Sequence, residues 1–393
     1  MEINKGAGPA ASGLAKQRGP QSSSMQSRSP KNFLVRAGEK AAKFSCEGDL
    51  VVTNRIFHII GLLAALLAWL MGSAQPALAQ QQLIPLKVSL GDVDITKIPV
   101  VIAYEEGIFK KNGLDAQVFI SKSAADSIKE QSGIYPPSQY VGGEAAPISI
   151  GGGAPLVYSR VYTALSRDRI VIASLDHVVH WHIVARPGIS KIEDLKGKRL
   201  GNGACCAMVR YIALAVAQKM GWDPVFDLSL LESGSPVEAL KAGIVDAAIA
   251  ADMARITAIE AGFPSIIDLR PWRIPIAGSG VNTTRSWLNN NREAARRFMK
   301  SLVEAIALMK QDKAVAFRAM GKWYRWTDSE KLEYVYTENR EMPSKPYPAV
   351  EGIKKAMELF DSHETRLHKP EDFYDDSLVR ELDESGFIDR LYK

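Results

Sequence analysis

The stretch "ALKAGIVDAAIAADMARITAIEAG", residues 239–262, decides the fold. A polar helix end passes through Gly243 into a run of Ala, Ile and Val. The run stops at Asp252, and a small-residue helix follows, closing at Gly262. A strand that is apolar without alternation is buried on both faces, as parallel strands of α/β sheets are. Ligands of such sheets collect beyond the carboxyl ends of the strands. The carboxylate of Asp252 is therefore either a solute contact or a cap for the helix that follows. Asp246, at the other end, reads as a structural turn residue.

The same alternation of strand and helix extends outward in two runs. "LKVSLGDVD" is a strand with Leu86, Val88 and Leu90 on its apolar face, and "KIPVVIAYEEGIF" an amphipathic helix with Pro99 in its first turn. "KKNGLDAQVFI" returns to a second strand, residues 121–147 form a partly helical Pro/Gly/Tyr loop, and "PISIGGGAPLVYSRVYTAL" is strand, glycine turn and helix. A second run opens after Pro187 with "SKIEDLKGKRLGNGACC". The chain returns through "IPIAGSGVNTTRSWL" and is largely helical from Asn291 to Lys393. Two α/β units with mostly parallel sheets follow from this pattern.

The formal charge of +5 suggests an anionic partner, but residues 1–79 hold nine Lys and Arg against four acids and so carry the whole excess. The remainder is balanced, which removes the argument for nucleic acid. Residues 51–79 have the parts of a secretory signal: Arg55, the apolar run "IIGLLAALLAWLM", and small residues at Ala77 and Ala79, with cleavage expected before Gln80. The apolar run falls short of the roughly 20 residues of a spanning helix; an uncleaved anchor is the competing reading. Residues 1–50, rich in Ser, Gly, Lys and Gln, read as a disordered leader or an over-extended start.

Beyond Ala79 the only cysteines are the adjacent Cys205 and Cys206. Neighbouring Cα atoms lie closer than a disulfide prefers, so two small side chains at a helix start are expected, with a strained vicinal bridge as the alternative. His177, His180 and His182 in "HVVHWH" read as sheet-face residues, and no metal is expected.

Four strand ends carry small or polar residues, "GDVDITK", "GGGAP", "GNGACC" and "AADMA", each feeding a helix across a tight turn. Free N–H groups at such helix starts converge on one crevice and suit a polar or anionic ligand. Each turn alone is weak evidence; the four together are stronger.

With these motifs the chain, over about residues 86–393, resembles the nitrate/sulfonate/taurine-type periplasmic binding proteins, whose kin include binders of thiamine-pyrimidine precursors. The resemblance rests on "DLKGKRLG" and "AVAQKMGWDP" with "ALKAGIVDAAIAADMA", on "IPVVIAYEEGIFKKNGLDAQV", and on the return segment "VNTTRSWLNNNREAARRFMKSLVEAI". It implies a two-lobed type II periplasmic-binding-protein fold joined by two crossing strands, with lobe 1 at residues 80–187 and 278–393 and lobe 2 at 188–277. It also implies a monomeric periplasmic receptor, without cofactor or catalysis, that hands a small organic solute to ABC permease subunits. The implied contacts are Asp94, Thr96 and Lys97 after the first strand, Gly152, Gly153 and Ala154 in the glycine turn, and Trp181 as an aromatic wall. In lobe 2 they are Asn202, Cys205 and Cys206 at the matching helix start, and Asp252. Lys97 and the helix starts favour a sulfonate or carboxylate; Asp252 and the tryptophans suit a heteroaromatic such as a pyrimidine. The segment 121–147 departs from the family pattern, so solute identity does not carry over. Relatives that build the thiamine pyrimidine from their own side chains need a lysine beside "GGGAP" and cysteines on the return strand, and neither is here. An enzyme on the same scaffold is the rival class.

Overall fold

The computed structural model describes residues 82–393, apart from 92–93, 133–134, 144, 153–155, 159–167, 202–206, 232 and 340. The leader and the expected signal segment lie outside the described residues, and among the described residues no helix is long and apolar enough to cross a membrane.

Among the described residues, ten strands form two sheets of five. The first contains β1 (Ile84–Leu90), β2 (Leu114–Ile120), β3 (Ile148–Gly151), β4 (Arg169–Val178) and β10 (Pro275–Thr284), in the order β2-β1-β3-β10-β4. The second contains β5 (His182–Ala185), β6 (Arg199–Gly201), β7 (Ser229–Leu231), β8 (Ala247–Ala250) and β9 (Ser265–Asp268), in the order β7-β6-β8-β5-β9. In each sheet one strand runs antiparallel to both neighbours, β10 in the first and β5 in the second. The other strands share one direction, so both sheets are mostly parallel and repeat one plan. Each odd strand is the first that the chain lays down after crossing from the other sheet. The first crossing falls between Val178 and His182, so β5 already belongs to the second lobe, ahead of the Pro187-Gly188 punctuation.

The two crossings lie side by side. Val179 N–H donates to Ile274 O at 2.9 Å, and Leu269 N–H donates to Trp181 O at 3.0 Å. This pair of short connections is the geometry of a two-strand hinge.

The composition of β8 now has its reason. Ala247 and Ile249 pack into one apolar cluster with the helix Ala207–Met220, while Ala248 and Ala250 pack into another, on the opposite face, with Val237, Leu240 and Ala258. A strand sealed on both sides leaves no polar face to alternate. Helix Ile98–Glu105 shows the same effect against expectation. It is buried from Ile98 to Ala103 rather than amphipathic, because the C-terminal helices Arg292–Gln311 and Lys313–Tyr324 cover its outer side. The indole of Trp323, fully buried, stacks on Tyr140 at 4.1 Å and donates to Glu105 at 2.7 Å.

At the foot of β8, Asp246 grips Arg199 of β6 through both carboxylate oxygens, at 2.7 and 3.0 Å, and also accepts the Arg199 N–H at 2.9 Å. Hydrogen bonds from Arg199 hold its pKa down at about 2. A depressed carboxyl stabilises the fold above its ordinary pKa, and that contribution fades as pH falls toward 2. Asp246→Asn should lower the melting temperature near neutral pH and leave little difference from wild type near about pH 2. An unchanged melting curve at pH 7 would remove Asp246 from the structural account.

Candidate functional site

The segments that follow β1 and β8 meet across the boundary between the sheets, where Asp252 reaches Ile95, and the described part of that boundary is polar and buried. From the first lobe, β1 runs into a single 3-10 turn, Ile95–Lys97, capped by Asp94. The Asp94 carboxylate accepts the Thr96 N–H at 2.7 Å and the Lys97 ammonium at 2.7 Å, and it also accepts the Thr96 hydroxyl. Lys97, only 2% exposed, donates further to Thr96 Oγ1 at 3.1 Å and to Ser279 Oγ at 2.8 Å. The hydroxyls of Thr96 and Ser279 share a hydrogen bond. Burial alone would push the Asp94 pKa up, but the charge and hydrogen bond of Lys97, the Thr96 hydroxyl and the nearby His180 together hold it below the usual carboxylate range.

Ser279 lies on β10, just past a break in the register between β10 and β4. Its φ of 39° is in the left-handed region, which a non-glycine residue adopts only where its surroundings hold it there. Next to it Gly278 leaves room for Asp176: a Cβ at that position would meet the carboxylate at 2.2 Å. His180, in the first crossing, sits with Nδ1 3.8 Å from Asp176, and its Nε2 is buried without a hydrogen-bond partner.

From the second lobe comes Asp252, also at positive φ (42°) and 6% exposed. Of the two readings of this residue, the cap is the one that does not hold: β8 ends at Ala250, which places Ala251 in the cap position, and no side-chain cap bond is made. Its carboxylate reaches across the boundary instead and accepts the Ile95 N–H at 3.4 Å. Burial, and after it the negative charge of Asp94, push its pKa up to about 7. Glu338 adds to the rise, and the Ile95 N–H and Lys97 work against it.

The structure thus brings Asp94, Thr96, Lys97 and Asp252 together. Gly152 follows the tip of β3, half-buried. Trp181 is half-buried in the first crossing and packs against the second lobe's core, as does Trp272. Gly153, Ala154, Asn202, Cys205 and Cys206 lie outside the described residues. Among the described residues no group of His, Cys, Asp and Glu is arranged to hold a metal. The three histidines of "HVVHWH" diverge: His177 bonds the Tyr347 carbonyl at 2.9 Å, His180 sits in the crossing, and His182 lies on β5. Sequence reading missed Ser279, whose one visible signal was a serine set between two glycines in the return strand.

Two lobes of one plan, a paired crossing and a polar boundary between strand ends define the periplasmic-binding-protein fold. The chain belongs to the NMT1/THI5-like family, whose model matches residues 95–316. Among solved structures, the nitrate-binding protein NrtA of Synechocystis PCC 6803 is similar with a TM-score of 0.59 at 14% identity, over 77% of this chain and 89% of that one. The aliphatic sulphonate binding protein SsuA of Escherichia coli is similar with a TM-score of 0.54 at 15% identity, over 72% and 93%. The desulfurization enzyme DSZB shares the fold as well, with a TM-score of 0.52 at 12% identity, over 77% and 99%. No curated protein matches the sequence.

Proposed function

We propose that this chain is an extracytoplasmic receptor of the ABC-importer type, which closes on a small organic solute and delivers it to a membrane permease without converting it. The observation that carries this reading is Asp252, a second-lobe carboxylate that is buried against the first lobe and held by the Ile95 amide 157 residues away in sequence. A contact of that kind exists only when the lobes are closed, and it lies where open α/β sheets receive ligands. The NMT1/THI5-like family and the binding-protein neighbours support the same reading; the enzyme DSZB on the same fold keeps conversion as the outcome to test.

The described groups also bear on the solute. Lys97, expected to meet an anionic head group, already has its charge met by Asp94 at 2.7 Å. Asp252 adds a second acid to that pair, and its carboxyl accepts hydrogen bonds. We therefore infer a solute with hydrogen-bond donors at the end facing Asp252, such as an amino-substituted heteroaromatic or an amine, ahead of a simple sulfonate or carboxylate. A thermal-shift screen of the purified protein against pyrimidines, amines, sulfonates, nitrate and aromatic acids tests both levels. A binder at 100 times its dissociation constant adds about 2.7 kcal/mol to stability. Shifts by sulfonates alone would overturn the solute class, and recovery of an altered product would overturn the receptor.

A further inference from the structure

A second polar cluster bridges the lobes, and its centre is Glu338. This residue ends the helix Ser329–Glu338, whose Leu332 and Val335 belong to the apolar core of the first lobe. Its carboxylate, 8% exposed, faces three basic side chains of the other lobe and its crossing. Arg255, from the helix that Asp252 opens, approaches Oε2 at 3.3 Å; Arg270, just beyond β9, approaches Oε1 at 3.1 Å; and His182 of β5 places Nε2 3.6 Å from Oε1. One turn earlier the Arg255 guanidinium lies over the ring of Tyr334 at 4.2 Å. At the start of the same helix Lys331 pairs with Glu260 of the second lobe at 2.6 Å.

The way these groups meet differs from a permanent structural pair. The Arg199–Asp246 bridge inside the second lobe is forked and aligned, at 2.7–3.0 Å. In the Glu338 cluster, by contrast, the hydrogen bond to Glu338 from Arg255 is a long one, from Nη2 to Oε2 at 3.3 Å. Arg270 directs its fork to Asp268 at 2.6 and 2.8 Å and reaches Oε1 only out of alignment, and His182 Nε2, Arg255 Nε and Glu338 Oε1 are buried without an aligned partner. Charges in a buried setting attract strongly without fine alignment, while unaligned donors and acceptors regain full hydration when the surfaces part. A contact that is strong when shut and gains hydration on opening suits a clasp. Apolar contact reinforces it: Met253 and Ile256, beside Asp252 and Arg255, pack against the first lobe's core.

We propose that Glu338 is a positioning residue for closure: without touching solute, it holds the lobes together and places the Asp252 helix against the first lobe. Apart from its small share in the Asp252 shift, it would act alike on every solute, since it is set by lobe-to-lobe charge, whereas Asp252 would act selectively. The inference rests on the receptor reading only in requiring that the lobes separate in use, and it is independent of what the solute is.

The test therefore uses the purified protein without solute. Glu338→Gln keeps the shape and removes the charge. Hydrogen exchange of amides in the helix Asp252–Glu260 and in β5 should quicken by at least about tenfold, the scale on which loss of one partner of a buried ion pair acts. The radius of gyration from small-angle scattering should rise, while amides of the first lobe's core strands keep their wild-type rates. Re-pairing the charges as Glu338→Arg with Arg255→Glu should restore part of the protection. A merely structural role would instead speed exchange across the first lobe and leave the radius of gyration unchanged, and that result overturns the proposal. If Glu338→Gln does not fold, Arg270→Gln takes its place, because Arg270 is more than a third exposed and removing its charge leaves the core intact. Unchanged exchange at the Asp252 helix in that variant overturns the clasp as well.

Discussion

At about pH 8 and without solute, Asp252→Asn should melt at a higher temperature than wild type, and the two should converge near about pH 4. The sign follows from the direction of the shift. The folded Asp252 carboxyl titrates at about 7 instead of its ordinary 3.8. Between those values the folded state holds a proton that the unfolded state has lost, so wild-type stability declines as pH rises through this window and levels off above it. Asparagine fits the same space and does not ionise, so the decline should disappear. No helix cap is lost with it, because Ala251 holds that position. Binding should respond in the opposite direction. A solute that donates to an ionised carboxylate loses a charge-assisted hydrogen bond worth about 1.5–3 kcal/mol, or about tenfold to a hundredfold in affinity. For a cationic or donor-bearing solute the wild-type affinity should rise from about pH 6 to about pH 8 as Asp252 gives up its proton; for an anion it should fall. An Asp252→Asn protein with the wild-type slope of stability against pH would show that this carboxyl is not the group titrating there.

What the sequence discloses and what it hides differ by the range over which each feature is set. β8 was legible because double burial acts residue by residue: four consecutive apolar positions leave no other reading. The return strand was legible as a strand but not as the antiparallel member between β3 and β4, since its pairing with β4 joins residues about a hundred positions apart. Lys97 shows the limit within a single turn. The i, i+3 spacing to Asp94 stands in the sequence, yet whether the lysine meets that acid or a solute depends on its burial beside Ser279 of β10, which lies 182 residues away. For Asp252, one residue of uncertainty in the strand end is enough to hide that Ala251, not the acid, takes the cap position. Glu338 had no local signal, because its partners come from β5, the Asp252 helix and the second crossing, and only tertiary packing brings them together. Ser279 is intermediate. Its glycine neighbours hinted at close approach, and Gly278 indeed makes room for Asp176, but the bond to Lys97 could not be read from composition.

Gly352→Ala should destabilise the protein by about 3 kcal/mol or prevent folding. On an exposed helix the same change would stabilise by up to about 1 kcal/mol, since glycine is a poor helix former. The sign reverses because of what the helix Val350–Leu359 rests upon. A Cβ at position 352 would sit 2.1 Å from the Ile276 carbonyl carbon and 2.2 Å from the Ala277 nitrogen. Both are backbone atoms of β10, in the segment that has just crossed from the second lobe. That segment has little room to retreat, because the strand is tied to β4 on either side of it, at Pro275 and Gly278, and Ile276 and Ala277 are themselves buried. The helix cannot lift away without cost either, since Ser174 Oγ of β4 accepts the Ala349 N–H at 3.1 Å and Ser174 N–H donates to Pro346 O at 3.1 Å. The strain would fall on the stretch leading to Ser279, so any folded fraction should also bind solute less tightly. Gly143→Ala is the control: a Cβ there meets nothing within 4 Å, and stability should stay within about 0.5 kcal/mol of wild type. Equal or greater denaturant resistance in Gly352→Ala would mean that helix and crossing strand are not in direct backbone contact, and the hinge geometry described above would have to be redrawn.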